Sequence, residues 1–264
     1  MAIGSFNFFS KSLSRAVPFN IILPNDIPEM YTADNENFKR NMKTLYLLDG
    51  FSAGNTDWML NTNINQLASK YNLCVVFPYG ENSFYLDAKE TGRKYGTYIG
   101  EELVEYTRKT FGLSAKAEDT FVGGLSMGGF GAIHTGLMYN HTFSKLFALS
   151  SALIIHGYEK MERNIDNGIA NYEYYESIFG DRDKVATSSK NPEELVRRIQ
   201  KNGDVMPKMF LACGTNDFLI NENREFKEFL QSQNVEFTYE ESEGVHNFEF
   251  WGKMLEPAIQ WLLK

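Results

Sequence analysis

Short apolar runs of strand length recur along the chain and alternate with stretches in which apolar residues return every three or four positions. The runs Ile3 to Phe9, Ala16 to Leu23, Lys43 to Leu48, Leu73 to Phe77, Thr120 to Gly124, Lys145 to Ser150, Lys208 to Cys213 and Glu236 to Glu240 predict about eight strands. The helical period predicts helices over Asn61 to Lys70, Gly100 to Phe111, Met127 to Tyr139, Asn221 to Gln231 and Phe248 to Leu263. Pro257 either begins a new helix within the last of these or kinks it. Such alternation specifies the α/β class, a mainly parallel central sheet with helices on both faces. The first two runs are too close for a crossover helix, so they are expected as an antiparallel pair at one sheet edge.

No internal repeat, low-complexity tract or Gly/Ser-rich linker interrupts the pattern, and residues 1–264 read as one domain. The longest stretch without a clear strand, 152–207, is polar and irregular and then helical around Pro192 to Lys201. Placed between two strands at the sheet's active end, it is expected either as a small cap insertion over a pocket or as a plain surface crossover.

Composition narrows the partners. The 264 residues are 43% hydrophobic, enough for a sizeable core, and the formal charge of −8 argues against nucleic acid or an anionic membrane. Lys11 and Arg15 break the apolar start, no later segment has the length of a membrane span, and a cytoplasmic location is the expectation. Cys74 and Cys213 sit inside the apolar runs LCVVF and MFLAC, where buried free thiols are expected rather than a disulfide. Asn140-His141-Thr142 matches a glycosylation acceptor but carries no weight without a secretory signal.

The chemistry concentrates in Thr120 to His134, TFVGGLSMGGFGAIH, where a serine falls between glycines at the junction of an apolar strand and a helix. This is the pattern of a nucleophile elbow: the turn strains the backbone at Ser126, and a side chain at Gly124 or Gly128 would collide with the neighbouring strand or helix. Gly129 and Gly131 are expected to let the helix pack close to the sheet, with its N-terminal N–H groups beside the hydroxyl. The bland alternative is a tight strand-turn-helix with small packing residues; the position of Ser126 at the junction favours the nucleophile.

A serine hydroxyl needs a base and an orienting acid. Of four histidines, His246 stands in EGVHNF after the last strand and before the terminal helix, where a loop can reach the active edge. His134 lies two turns into the helix after Ser126 and reads as a packed or surface residue; His141 and His156, in short connections with no matching partner, read as structural or solvated. Asp217 ends CGTND directly after an apolar strand, on the ligand side of a parallel sheet, whereas Asp181, Asp183 and Asp204 lie in polar sequence that suggests solvated charge. For the oxyanion, the Met127 backbone N–H and an N–H of Phe51 or a neighbour in the loop Asp49 to Gly54 are the candidates. Tyr79, Phe84, Tyr85, Tyr95 and Tyr98 are candidates either for pocket lining or for packing.

With these residues the chain resembles the α/β-hydrolase superfamily, and within it the esterase D group, nearest the small bacterial tributyrin esterases and acetylesterases. The carriers are YLLDGFSAGNTDW (Tyr46 to Trp58), NSFYLD (Asn82 to Asp87), YIGEELVEY (Tyr98 to Tyr106), GGLSMGGFGA (Gly123 to Ala132), CGTNDFL (Cys213 to Leu219) and GVHNFEFW (Gly244 to Trp251), spread over nearly the whole length. The resemblance implies an α/β-hydrolase fold, Ser126 as nucleophile, Asp217 as acid, His246 as base, and Met127 and Phe51 as oxyanion donors. It implies a serine carboxylesterase acting on short acyl esters of a small alcohol, sugar or glyceride, without metal or organic cofactor. One departure is that relatives have His-Gly where this chain has Asp49-Gly50, so the loop must be held differently, and an acid facing the site would slow catalysis. The expected partner is a small-molecule acyl ester, with a homo-oligomer compatible. The rival readings are an S-formylglutathione hydrolase-like thioesterase, an acyltransferase, or a catalytically silent ligand-binding hydrolase fold.

Overall fold

The computed structural model of the chain describes residues 1–88 and 91–264. Its centre is an eight-stranded sheet in the order β1-β2-β4-β3-β7-β8-β9-β10. The strands are β1 Ala2–Ser10, β2 Arg15–Leu23, β3 Lys43–Leu48, β4 Leu73–Pro78, β7 Thr120–Leu125, β8 Lys145–Leu149, β9 Lys208–Gly214 and β10 Phe237–Ser242. The strands β4, β3, β7, β8, β9 and β10 are mutually parallel, while β2 runs against β4 and β1 against β2 at the edge. A separate pair, β5 Asp87–Ala88 with β6 Arg93–Lys94, was not legible in the sequence because two-residue strands show no periodicity.

Burial explains why the central strands read as unbroken apolar runs. In β3 every residue from Thr44 to Leu48 is buried; Tyr46 and Leu48 enter one core and Leu45 and Leu47 the other. A strand covered on both faces has no polar side to alternate with. Cys74 and Cys213 are buried free thiols within this sheet.

The flanking helices are α1 Asp57–Asn61, α2 Ile64–Lys70, α3 Tyr95–Thr97, α4 Leu103–Phe111, α5 Met127–Met138, α6 Ile155–Glu159, α7 Tyr172–Phe179, α8 Arg182–Val185, α9 Pro192–Asn202, α10 Ile220–Ser232 and α11 Phe248–Leu263. The helix expected over Asn61 to Lys70 is broken into α1 and α2. Thr62 is extended, its hydroxyl donates to the Trp58 carbonyl, and the Asn61 amide donates to the Asp57 carbonyl, so side chains take over the backbone's bonding at the break. The helix expected from Gly100 starts earlier, at α3, and reaches α4 through a π turn at Tyr98–Glu102. The terminal helix runs through Pro257, held by buried Met254, Leu255, Ala258, Ile259 and Leu262 on either side of it.

The 152–207 segment holds α6, α7, α8 and α9, of which only α9 was legible in the sequence. The inner faces of α6 and α7 are built from Ile155, Tyr158, Tyr172, Tyr175, Ile178 and Phe179, all buried. A face of which half is tyrosine reads as more polar in sequence than it is, because the ring buries like an apolar group.

Candidate active site

Parallel strands deliver their C-terminal ends to one edge, and there the chain gathers Ser126 after β7, Asp217 after β9 and His246 after β10. Ser126 sits at φ 54° and ψ −119°, the strained turn expected of it. A Cβ on Gly124 would lie 2.3 Å from the Gly128 carbonyl oxygen, and one on Gly128 would lie 2.4 Å from that of Leu48. Backbone therefore presses on both positions, and neither has a side chain that can yield. Gly131 differs from expectation: its open side meets the ring of Tyr85, 2.3 Å from where a Cβ would be, rather than the sheet.

The Ser126 hydroxyl lies 2.9 Å from His246 Nε2, and His246 Nδ1 lies 3.0 and 2.9 Å from Asp217 Oδ1 and Oδ2. In this arrangement Nδ1–H donates to the carboxylate and Nε2 accepts from the serine. Burial pushes the Asp217 carboxyl up, but hydrogen bonds from His246, the Leu219 N–H and Ser150 outweigh it and hold the group below the ordinary carboxylate value. The Asp217 side chain is thus the anion that an imidazolium needs beside it.

Further residues fix this trio, and the sequence reading missed them. Trp251, one turn into α11, packs edge-on to the His246 ring at 4.9 Å while its Nε1–H donates to Ser150 Oγ. Phe218 also packs against the imidazole, at 4.5 Å between ring centroids. Asn223 donates to the carbonyl oxygens of Ser151 and Leu219 and accepts from the Ser151 N–H, tying α10 to the loop after β8. Phe218 and Trp251 stand in CGTNDFL and GVHNFEFW, so their signal was adjacency to the acid and the base. At the start of α11, Asn247 caps the helix by accepting from the Phe250 N–H at 3.1 Å, which fixes the residue next to His246.

Ser126, Met127, Phe51 and His246 all line a cavity of about 490 Å³. As the first residue of α5, Met127 has an N–H with no intrahelical acceptor. Phe51 lies in the loop after β3, where the Ser52 N–H donates to Asn82 Oδ1 at 2.7 Å. Of the aromatic candidates only Phe84 lines this cavity; Tyr85, Tyr95 and Tyr98 are core residues, and Tyr79 belongs to a separate surface hollow. Ala152, Ile154, Tyr158, Met161 and Tyr175 bring the 152–207 segment onto the cavity wall.

Asp49 is absent from that wall. It is 4% exposed, and burial first, then the charge of Asp57, pushes its carboxyl well above the ordinary carboxylate range, favouring the neutral acid. The loop around it is held by Tyr85, whose hydroxyl accepts from the Asp49 N–H and donates to the Asp49 carbonyl oxygen. His134 is packed, as expected, with Nε2 on the Ser189 carbonyl oxygen. His156 has partners the sequence did not show: Glu193 at 2.8 Å and Glu159 at 3.6 Å. His141 is exposed.

A hydroxyl on a strained strand-to-helix turn, an imidazole behind it and a carboxylate behind that define the hydrolase class built on this sheet. The comparisons agree: the family model described as "Putative esterase" matches residues 10–262, and the chain belongs to that esterase family of α/β-hydrolases. The chain is 42% identical to an acetyl esterase of Caldicellulosiruptor saccharolyticus, over all of this chain and 99% of that one. Among solved structures it resembles the fluorophosphonate-binding serine hydrolase FphF of Staphylococcus aureus (29% identity, TM-score 0.85, covering 100% and 98% of the two chains). It also resembles the S-formylglutathione hydrolase FrmB of the same organism (28% identity, TM-score 0.82, covering 100% and 99%). The protein is a carboxylic ester hydrolase. Among the described residues no helix is long and apolar enough to cross a membrane.

Proposed function

We propose that the protein is a serine carboxylesterase for short acyl esters, with Ser126, His246 and Asp217 as its triad. The observation that carries this reading is the unbroken relay from Asp217 through His246 to a strained Ser126 at the wall of an apolar cavity. His246 Nε2 takes the Ser126 proton as Oγ attacks the ester carbonyl, and Asp217 stabilises the imidazolium that results. The oxyanion falls to the N–H groups of Met127 and Phe51. His246 then returns the proton to the leaving alcohol, and a water activated by the same imidazole releases the acid from Ser126.

The acetyl esterase similarity supports short acyl groups, and the wall formed by residues 152–175 supports a capping role for the 152–207 segment. The two buried free thiols fit a cytoplasmic, reducing setting. A thioesterase acting on formylglutathione is the second reading, favoured by the likeness to FrmB. Against it, none of the described residues that line the cavity is a Lys or Arg that would meet the two carboxylates of glutathione.

Fluorophosphonate labelling followed by mass spectrometry tests the nucleophile: one adduct on Ser126, absent in Ser126→Ala, is expected together with hydrolysis of p-nitrophenyl acetate. Folded wild-type protein that neither labels nor hydrolyses would leave only the silent binding fold. Faster turnover of S-formylglutathione than of acetyl esters would move the assignment to the thioesterase.

A further inference from the structure

Most of the reaction cavity's wall is apolar, and its polar side chains beyond the triad are spoken for with one exception. Asn167 accepts from the N–H groups of Ile169 and Ala170 and donates to the Tyr175 hydroxyl, which occupies both ends of its amide. Glu222 also lines the cavity, and its Oε2 is buried with no hydrogen-bond partner among the described residues. Glu222 stands in the first turn of α10, where an acidic residue complements the helix dipole. That role is met equally well by a solvated side chain and does not account for a carboxyl oxygen buried at the reaction cavity. Leaving such an oxygen unpaired is costly, so the arrangement calls for a donor.

Chemistry says which part of a substrate lies there. The leaving oxygen must approach His246 Nε2 to collect its proton, so the alcohol portion extends along the His246 side of the cavity. Phe218, 4.5 Å from the His246 ring and 62% exposed, lines that side, and Glu222, in the first turn of α10, lines the same cavity. The leaving group thus meets an open aromatic face and then a carboxyl oxygen without a partner. An alkyl alcohol satisfies only the first. An ammonium satisfies the second but brings further N–H donors to an apolar wall that leaves them unpaired. A ring bearing hydroxyls satisfies both, its C–H face on Phe218 and one O–H directed at Glu222.

We propose that Glu222 is a specificity-determining residue for the alcohol half of the substrate, its carboxyl turning to accept a hydrogen bond from a free hydroxyl of the leaving group while Phe218 packs against the ring that carries it. The preferred substrates are then short acyl esters of polyhydroxylated alcohols, such as a partly acylated sugar. This inference rests on the esterase reading above.

The test compares kcat/KM for a monoacetylated methyl glucopyranoside with that for cyclohexyl acetate, a ring of similar bulk without hydroxyls. The wild type is expected to favour the glycoside by at least about tenfold, and Glu222→Leu to cut that ratio by about 10- to 100-fold. Glu222→Gln, which keeps an acceptor oxygen in nearly the same volume, is expected to retain most of the ratio. A wild-type ratio near one overturns the proposal without any variant. So do variants that slow both esters equally, and so does a larger preference for 4-aminocyclohexyl acetate, which would make the recognised group an ammonium. Turnover of these esters with the ratio unmoved sinks this proposal alone, whereas a wild type that hydrolyses none of them and takes no fluorophosphonate sinks the esterase reading with it.

Discussion

The Tyr174 hydroxyl donates to the carbonyl oxygen of Asn82 at 2.6 Å, and the Tyr174 ring meets Phe51 edge-on at 5.5 Å. Asn82 is also the residue whose side chain accepts from the Ser52 N–H. The 152–207 segment therefore touches Phe51 directly and is linked through Asn82 to the short loop that supplies Phe51 to the cavity. Tyr174→Phe keeps the ring and removes the donor. Loss of one hydrogen bond of about 1 kcal/mol corresponds to roughly a fivefold fall in kcat/KM if it acts on the oxyanion loop. Steady-state kinetics with p-nitrophenyl acetate reads this, and an unchanged rate would show that the loop is held without Tyr174.

Asp217→Asn is expected to lower kcat by about 10³ to 10⁴ while leaving the fold intact. The amide cannot supply the anion that His246 faces when protonated, and its NH₂ can turn the imidazole toward the wrong tautomer. Kinetics beside a circular dichroism melt separates loss of chemistry from loss of structure.

Asp49 gives a stability prediction with a definite sign. Its folded-state pKa is raised above the ordinary carboxylate value near 3.8, so the native protein holds a proton that the unfolded chain releases. The stability this proton confers is complete below about pH 4 and is lost as pH rises toward the folded value. In Asp49→Asn that loss has no source. The variant is expected to gain on the wild type in urea midpoints as pH rises above about 4, until the folded value is passed, and a difference independent of pH would mean that Asp49 is ionised in the native protein.

His134 acts in the opposite direction. Burial lowers it from 6.5 to about 4, with the Ser189 carbonyl and Asp87 opposing the shift and Lys190 adding to it. The unfolded chain takes up a proton below about pH 6.5 that the native protein refuses until about pH 4. Stability therefore falls as the solution is acidified through that window, by on the order of 2–3 kcal/mol. His134→Leu leaves the Ser189 carbonyl unpaired and is expected to be less stable at pH 7, yet to show a flatter decline between pH 6.5 and pH 4. A decline as steep as the wild type's would place the acid sensitivity elsewhere.

Much of this molecule was readable from local pattern. The runs KTLYLL and LCVVF are strands because five consecutive residues in each find burial across both sheet faces, and a short window contains that information. The serine turn was equally visible, since Gly124 and Gly128 mark backbone contacts that tolerate no side chain. Periodicity failed where polar atoms disguised buried surface, as in α6 and α7, half of whose buried residues are tyrosine. It failed again at Thr62, where side-chain hydrogen bonds stop a helix that propensity would continue.

By itself the sequence determined the α/β alternation, the edge hairpin, the strained serine and the candidates for its base and acid, because each depends on neighbours in the chain or on the spacing of side chains along one element. Tertiary structure decided what lies side by side across long separations. It set His246 against Ser126, 120 positions away. It buried Asp49 away from the cavity, brought Phe218 and Trp251 against the imidazole, and left a Glu222 oxygen unpaired among the described residues. Those outcomes depend on how the strands order themselves and how the helices pack over them, and the free energy that fixes them is shared among residues that no local window contains.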